Sequence, residues 1–147
     1  MRDFEREKAE RIAFIKSVLA ETGADGIVYG NSGGKDSALV GILCKAACEN
    51  TVGLIMPCGS KRNYGQDRAD AETVANRFGI EYRVVDLTET RDALVKAVGA
   101  STPLAEPAVI NIAPRLRMTA LYAVAKNENR VVAGTGNRSE IHMGYYT

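Results

Sequence analysis

The chain has 147 residues, 46% of them apolar and 25% charged, with 19 basic groups against 18 acidic ones. That length suits one domain, residues 1–147, able to bury a core, and the near balance of scattered charge gives no footprint for nucleic-acid binding. No apolar run approaches the roughly 18 residues of a membrane span, and the N-terminal MRDFEREKAER lacks the apolar centre of a signal peptide, so a cytoplasmic protein without a membrane partner is expected.

The first predicted element is a helix over residues 3–21. Ile12, Ile15, Val18 and Leu19 recur there at helical spacing, and Gly23 follows as a stop signal. Short β-favouring runs follow at 26–30, 51–56, 81–86 and 130–134, separated by helical stretches at 36–48, 67–78, 88–98 and 114–127. The alternation predicts an α/β fold: a parallel sheet of about four strands with helices on both faces. Ligands in such sheets bind beyond the carboxyl ends of the strands. Two connections exceed the usual length and are expected to be mobile binding loops: residues 57–66, polar and cationic, and residues 99–113, with Pro103 and Pro107. The three cysteines suit a reducing compartment. Cys44 and Cys48 lie four apart on a helix with no second pair to complete a zinc site, and are read as packing residues.

Residues Gly30, Asn31, Ser32, Gly33, Gly34, Lys35, Asp36 and Ser37 join the first predicted strand to the second helix. Adjacent glycines let a ligand approach the backbone, and the first-turn amides together with the Ser32 and Ser37 hydroxyls can converge on an anion. A Walker A loop ending at Lys35 would need glycine at 29 and a hydroxyl at 36, where this chain has Tyr29 and Asp36. A carboxylate in that place points instead to a loop that cradles pyrophosphate while the aspartate holds a divalent cation. A capped Gly-rich turn with no ligand is the plainer alternative.

The SGGKDS loop resembles that of the ATP pyrophosphatase superfamily, which splits ATP between its α- and β-phosphates. Two further segments narrow the resemblance: Asn111 to Met118 (NIAPRLRM), and Gly134-Thr135-Gly136-Asn137-Arg138-Ser139-Glu140 followed by Gly144-Tyr145-Tyr146-Thr147. Taken in order, the three are similar to the motifs of the NAD synthetases of ammonia-dependent type. Asn31 departs from a usually apolar position, and Pro114 replaces an alanine; a proline in the first turn of a helix at 114 is tolerable.

The resemblance implies an adenine nucleotide alpha hydrolase-like, Rossmann-like fold and ATP-dependent amidation of deamido-NAD with ammonia. It implies that residues 30–37 and Thr135 bind ATP, that Asp36 and Glu140 hold Mg2+, and that Arg115 contacts deamido-NAD, with Arg117 a second candidate. The nicotinate carboxylate would be adenylated with loss of pyrophosphate, and ammonia would then displace AMP, with no protein nucleophile. Lys35 and Lys61 are candidates for neutralising phosphate charge, while His142 is read as a surface or packing residue. A homodimer is implied, and free ammonium is the expected nitrogen source. The family's sequences continue past GYxT into further substrate-binding groups, so a C-terminally shortened member is expected. The alternatives are a non-catalytic ATP-binding module and another SGGxDS enzyme, such as a GMP or argininosuccinate synthetase or a tRNA-modifying enzyme.

Overall fold

The computed structural model describes residues 3–59 and 65–145. Helix α1 (Phe4–Thr22) starts at Asp3, whose carboxylate accepts from the Arg6 amide at 3.1 Å, and ends at Gly23 in the left-handed region. It is followed by β1 (Gly26–Gly30), α2 (Lys35–Ala47), β2 (Thr51–Ile55), α3 (Gln66–Phe78) and β3 (Glu81–Val84). Then come α4 (Thr88–Gly99), α5 (Glu106–Asn127), β4 (Arg130–Ala133) and α6 (Arg138–Met143).

The four strands form one parallel sheet in the order β3-β2-β1-β4. The central pair carries the core. Every residue of β2 and the first four of β1 are buried, whereas the edge strands β3 and β4 are only partly covered. Strand alternation sends successive residues to opposite faces. Val28, Val52 and Leu54 join Leu116, Ala120, Leu121 and Val124 of α5, while Tyr29 turns to the other face with Ala75, Ile80 and Val40 of the α2 and α3 layer. The sheet is therefore covered on both sides, as an apolar parallel sheet requires. Among the described residues no helix is long and apolar enough to cross a membrane.

The chain order reverses between β1 and β4. Strands after β1 add on one side, and β4 pairs on the other. That switch point opens a crevice at the carboxyl ends of the two strands, where the segments 31–34 and 134–137 leave the sheet.

Two expectations are corrected. The connection from 99 to 113 is not one long loop, because α5 begins at Glu106 with Pro107 in its first turn, leaving only residues 100–105 between helices. Pro114 consequently lies inside α5, not in its first turn. It lacks the N–H that would reach the Ile110 carbonyl, and the helix continues past that lost bond. Short α6 is an element the sequence reading did not separate from the strand before it. In the other long connection residues 60–64, Lys61 among them, lie outside the described residues.

Candidate active site

The loop after β1 is held by its own side chains. The Ser32 and Ser37 hydroxyls lie 3.0 Å apart, Ser37 Oγ donates to the Gly34 carbonyl at 2.9 Å, and the Gly34 amide donates to Ser32 Oγ at 3.3 Å. Asn31 fixes the loop from below. It is buried, its Nδ2 donates to the Ala71 carbonyl of α3 at 3.0 Å, and its Oδ1 accepts from the Gly33 amide at 3.4 Å. An apolar residue there would leave the Gly33 amide and the Ala71 carbonyl without these partners.

Gly33 is the glycine the turn requires. Its φ is +78°, and a Cβ would stand 2.3 Å from the Asp67 carbonyl oxygen of α3. Gly34, with φ −79°, starts α2 and has no such obstacle; the nearest atom to its Cβ would be Ser32 Oγ at 3.4 Å. No side chain caps α2 at that residue, so the helix presents its first-turn amides at the mouth of the switch point, an arrangement that suits an anion.

Asp36 sits in the first turn of α2 and meets the segment leaving β4. Its Oδ2 accepts from Asn137 Nδ2 at 3.2 Å. Asn137 is also the N-cap of α6: its Oδ1 accepts from the Glu140 amide at 2.9 Å, and its own amide donates to Glu140 Oε2 at 2.8 Å. This capping box gathers Asp36 and Glu140 around one residue. The two carboxylates, 104 positions apart by their numbers, 140 against 36, are brought together by the switch between β1 and β4. Among the described residues no group of three or more His, Cys, Asp or Glu side chains is placed to hold a metal ion.

Beside the loop lies a cavity of about 420 Å³, within the roughly 300–1,000 Å³ usual for small-molecule sites. Gly30, Asn31 and Ser32 form one end, and Leu54, Met56, Leu121, Tyr122 and Val132 supply apolar walls. Thr135 lines it, as do Arg68 and Arg117. Arg68 is held by Glu72 at 2.8 Å, and Arg117 Nε donates to the Met56 carbonyl at 3.0 Å. A wider hollow of about 970 Å³ lies on the other side of Arg117 and Pro114, with Arg91, Asn111 and Tyr145 on its walls. The cavity thus joins the start of the glycine loop to an apolar slot, with Asp67 and Arg68 on its wall and one cationic group, Arg117, between it and the wider hollow.

The model of the NAD synthase family matches residues 7–147. The chain belongs to the NAD synthase family. Among curated relatives, the NH3-dependent NAD+ synthetase of Carboxydothermus hydrogenoformans is 45% identical over 146 residues, covering 96% of this chain and 58% of its own. That of Pyrobaculum aerophilum is 39% identical over 147 residues, covering 99% of this chain and 54% of its own. Among solved structures, the NH3-dependent NAD synthetase of Campylobacter jejuni superposes with a TM-score of 0.88 at 33% identity, covering 100% of this chain and 62% of that one. The NMN synthetase of Francisella tularensis gives 0.91 at 28% identity, with 60% of its chain covered. The chain thus spans a little over half the length of the curated relatives it matches.

Against this NAD synthase frame the sequence-predicted residues separate into groups. The segment 30–37, Thr135, Asp36 and Glu140 converge on the switch point. Lys35 is exposed and does not line the cavity. Arg115 is exposed, with Nη1 donating to the Asn111 carbonyl at 2.9 Å, and it lines neither chamber. His142 is exposed on α6 and accepts from Arg138 Nε at 3.2 Å. Sequence reasoning missed Arg68, which carries no motif signal. It also put Arg115 ahead of Arg117, the residue in the wall of both chambers; only the register of a helix beginning at Glu106 distinguishes the two.

Proposed function

We propose that this chain forms the nucleotide-binding and adenylating part of an ammonia-dependent NAD synthetase. The observation that carries the reading is the meeting of Asp36, at the end of the glycine loop, with Asn137 and Glu140 beyond β4, next to a cavity lined by Gly30, Asn31 and Ser32 from the first segment and by Gly134 and Thr135 from the second. ATP would lay its phosphates on residues 30–37, contact Thr135, and place its base against the apolar walls. Deamido-NAD would occupy the neighbouring hollow beside Arg117, and Arg115, outside both chambers, would contact it only where the dinucleotide extends onto the exposed face of α5.

The donor set supports Mg2+. Two carboxylate oxygen donors match a hard cation that binds few protein groups and completes its shell with water and substrate phosphate. Asp36 and Glu140 are the residues that would hold it, and the charge neutralisation it supplies when bound acts on the pyrophosphate side of ATP. The protein's own residues do the rest. First-turn amides of α2 and the two loop serines orient the phosphates, and Arg117 closes the wall between the reactants. The nicotinate carboxylate oxygen then attacks the α-phosphorus as the bond to the bridging oxygen breaks, releasing pyrophosphate. Ammonia next attacks the acyl carbon, AMP leaves with its oxygen, and loss of a proton gives the amide.

Free ammonium as the nitrogen source accords with the names of the NH3-dependent relatives. A homodimer is supported by the apolar side chains that α5 leaves exposed, Ile110, Met118 and Tyr122; a single monomeric mass by light scattering at high concentration would exclude it. Cytoplasmic residence is part of the same reading.

Calorimetric titration with ATP and Mg2+ tests the site. The wild-type chain is expected to bind, and Asp36→Ala to weaken binding about tenfold or more, about 1.4 kcal/mol. Equal affinity in the two proteins would count against the proposed cation site. A second reading, a nucleotide-binding module without turnover, is left standing by this titration and is resolved by a turnover assay.

A further inference from the structure

The residue that joins the two carboxylates is neither a nucleotide contact nor a metal ligand in the reading above. We infer that Asn137 is a positioning residue: its side-chain amide ties Asp36 to the start of α6, its backbone amide holds the Glu140 carboxylate, and together they set the separation of the two carboxylates and so build the cation site. The inference rests on the proposed cation site and goes one layer behind it.

Three bonds carry it. Nδ2 donates to Asp36 Oδ2 at 3.2 Å, Oδ1 accepts from the Glu140 amide at 2.9 Å, and the Asn137 amide donates to Glu140 Oε2 at 2.8 Å. The last two make an ordinary capping box, and serine or threonine would serve as well for that purpose. The first is different. A carboxamide combines an acceptor with donors on one rigid plane, so the oxygen can hold α6 while the nitrogen reaches back to α2. Serine at this place keeps the cap but has only one short hydroxyl, already turned toward the helix. Aspartate would set a second carboxylate against Asp36.

The fold explains why such a brace is needed. Asp36 rides on the helix after β1 and Glu140 on the helix after β4, and those strands start connections that run apart at the switch point. The strand pairing ends with Tyr29 opposite Ala133, before either carboxylate is reached. Asn137 bridges the two segments beyond the end of that ladder. Groups that orient metal ligands from behind characteristically govern affinity by about 10–100-fold.

The test uses Mn2+ as the probe, with electron paramagnetic resonance counting free ion in the presence of a non-hydrolysable ATP analogue. Wild type, Asp36→Ala, Asn137→Ser and Asn137→Ala are compared well below each protein's melting midpoint, so that every sample is folded. Thermal midpoints are recorded alongside. Asn137→Ser is expected to melt nearer to wild type than Asn137→Ala does, yet to bind Mn2+ about 10–100-fold more weakly than wild type. Wild-type affinity in Asn137→Ser would overturn the inference, reducing Asn137 to a cap while leaving the cation site intact. Failure of Asp36→Ala to differ from wild type would instead remove the cation site itself, and the role of Asn137 with it.

Discussion

At the scale of single residues, two glycines of one loop separate folding from binding. Gly33 combines a positive φ with a Cβ position 2.3 Å from backbone, so Gly33→Ala is expected to cost at least the roughly 1–2 kcal/mol of a left-handed non-glycine residue, read as a lower urea midpoint. Gly34→Ala, in ordinary backbone with only an ordinary van der Waals contact to Ser32 Oγ, is expected to hold stability within about 0.5 kcal/mol while weakening ATP binding. Equal destabilisation by the two would contradict the division. Tyr29 gives a second case. Its ring passes between Gly41 and Gly53, where added Cβ atoms would stand 2.4 and 3.0 Å from the hydroxyl oxygen. That hydroxyl is buried with no hydrogen-bond partner among the described residues, and burial, with Cys44 alongside, pushes its pKa up to about 12. An unsatisfied buried hydroxyl costs about 1–3 kcal/mol in desolvation, so Tyr29→Phe is expected to be neutral or stabilising in thermal unfolding. A clear loss of stability would mean that the hydroxyl has a partner.

At the scale of elements, α5 is the most instructive. Its Pro114 removes a bond to Ile110 that the helix survives, because Leu116, Ala120, Leu121 and Val124 pack on the sheet core. Pro114→Ala returns that bond and is expected to raise the melting midpoint; an unchanged or lower midpoint would show that the proline ring itself is needed for packing. The sequence could not show this helix's start. Prolines at 103 and 107 read as loop and Pro114 as the first turn of a helix, yet Pro107 occupies the first turn, where it costs nothing, and burial of the later turns overrides the missing bond at Pro114. The strands, by contrast, were legible to within a residue or two, because apolar runs in a parallel sheet have no competing pattern. The glycine loop was legible as a turn between β1 and α2 for the same kind of reason, since its residue types have few other uses together. What Asn31 does was not legible, because its partners, Ala71 and Gly33, are set by the docking of α3.

At the scale of the whole molecule, the end of the sheet opposite the site carries an ionic tie. Glu128, after α5, takes Arg83 of β3 on one oxygen at 2.5 Å and Arg130 of β4 on the other at 2.7 Å, linking the two edge strands. Hydrogen bonds first from Arg83 and then from Arg130 hold its carboxyl below the ordinary range. A depressed folded-state pKa contributes stability at neutral pH that is lost as pH falls through that pKa. The stability gap between wild type and Glu128→Gln, measured by denaturant titration, is therefore expected to shrink on acidification below the ordinary glutamate value of about 4.3. A gap that stays constant with pH would mean the tie contributes nothing through ionisation.

The sheet order β3-β2-β1-β4 puts the glycine loop and the Asn137 segment at one crevice, and the family match extends from residue 7 to 147. The central claim is that this crevice performs the adenylating half of NAD synthesis. It is tested most directly by release of pyrophosphate from labelled ATP with Mg2+, with and without deamido-NAD, followed by ammonium and an assay for NAD. The account predicts release that requires deamido-NAD and is lost in Asp36→Ala. Saturable ATP binding with no release under any of these conditions would contradict it and leave a nucleotide-binding module without the chemistry.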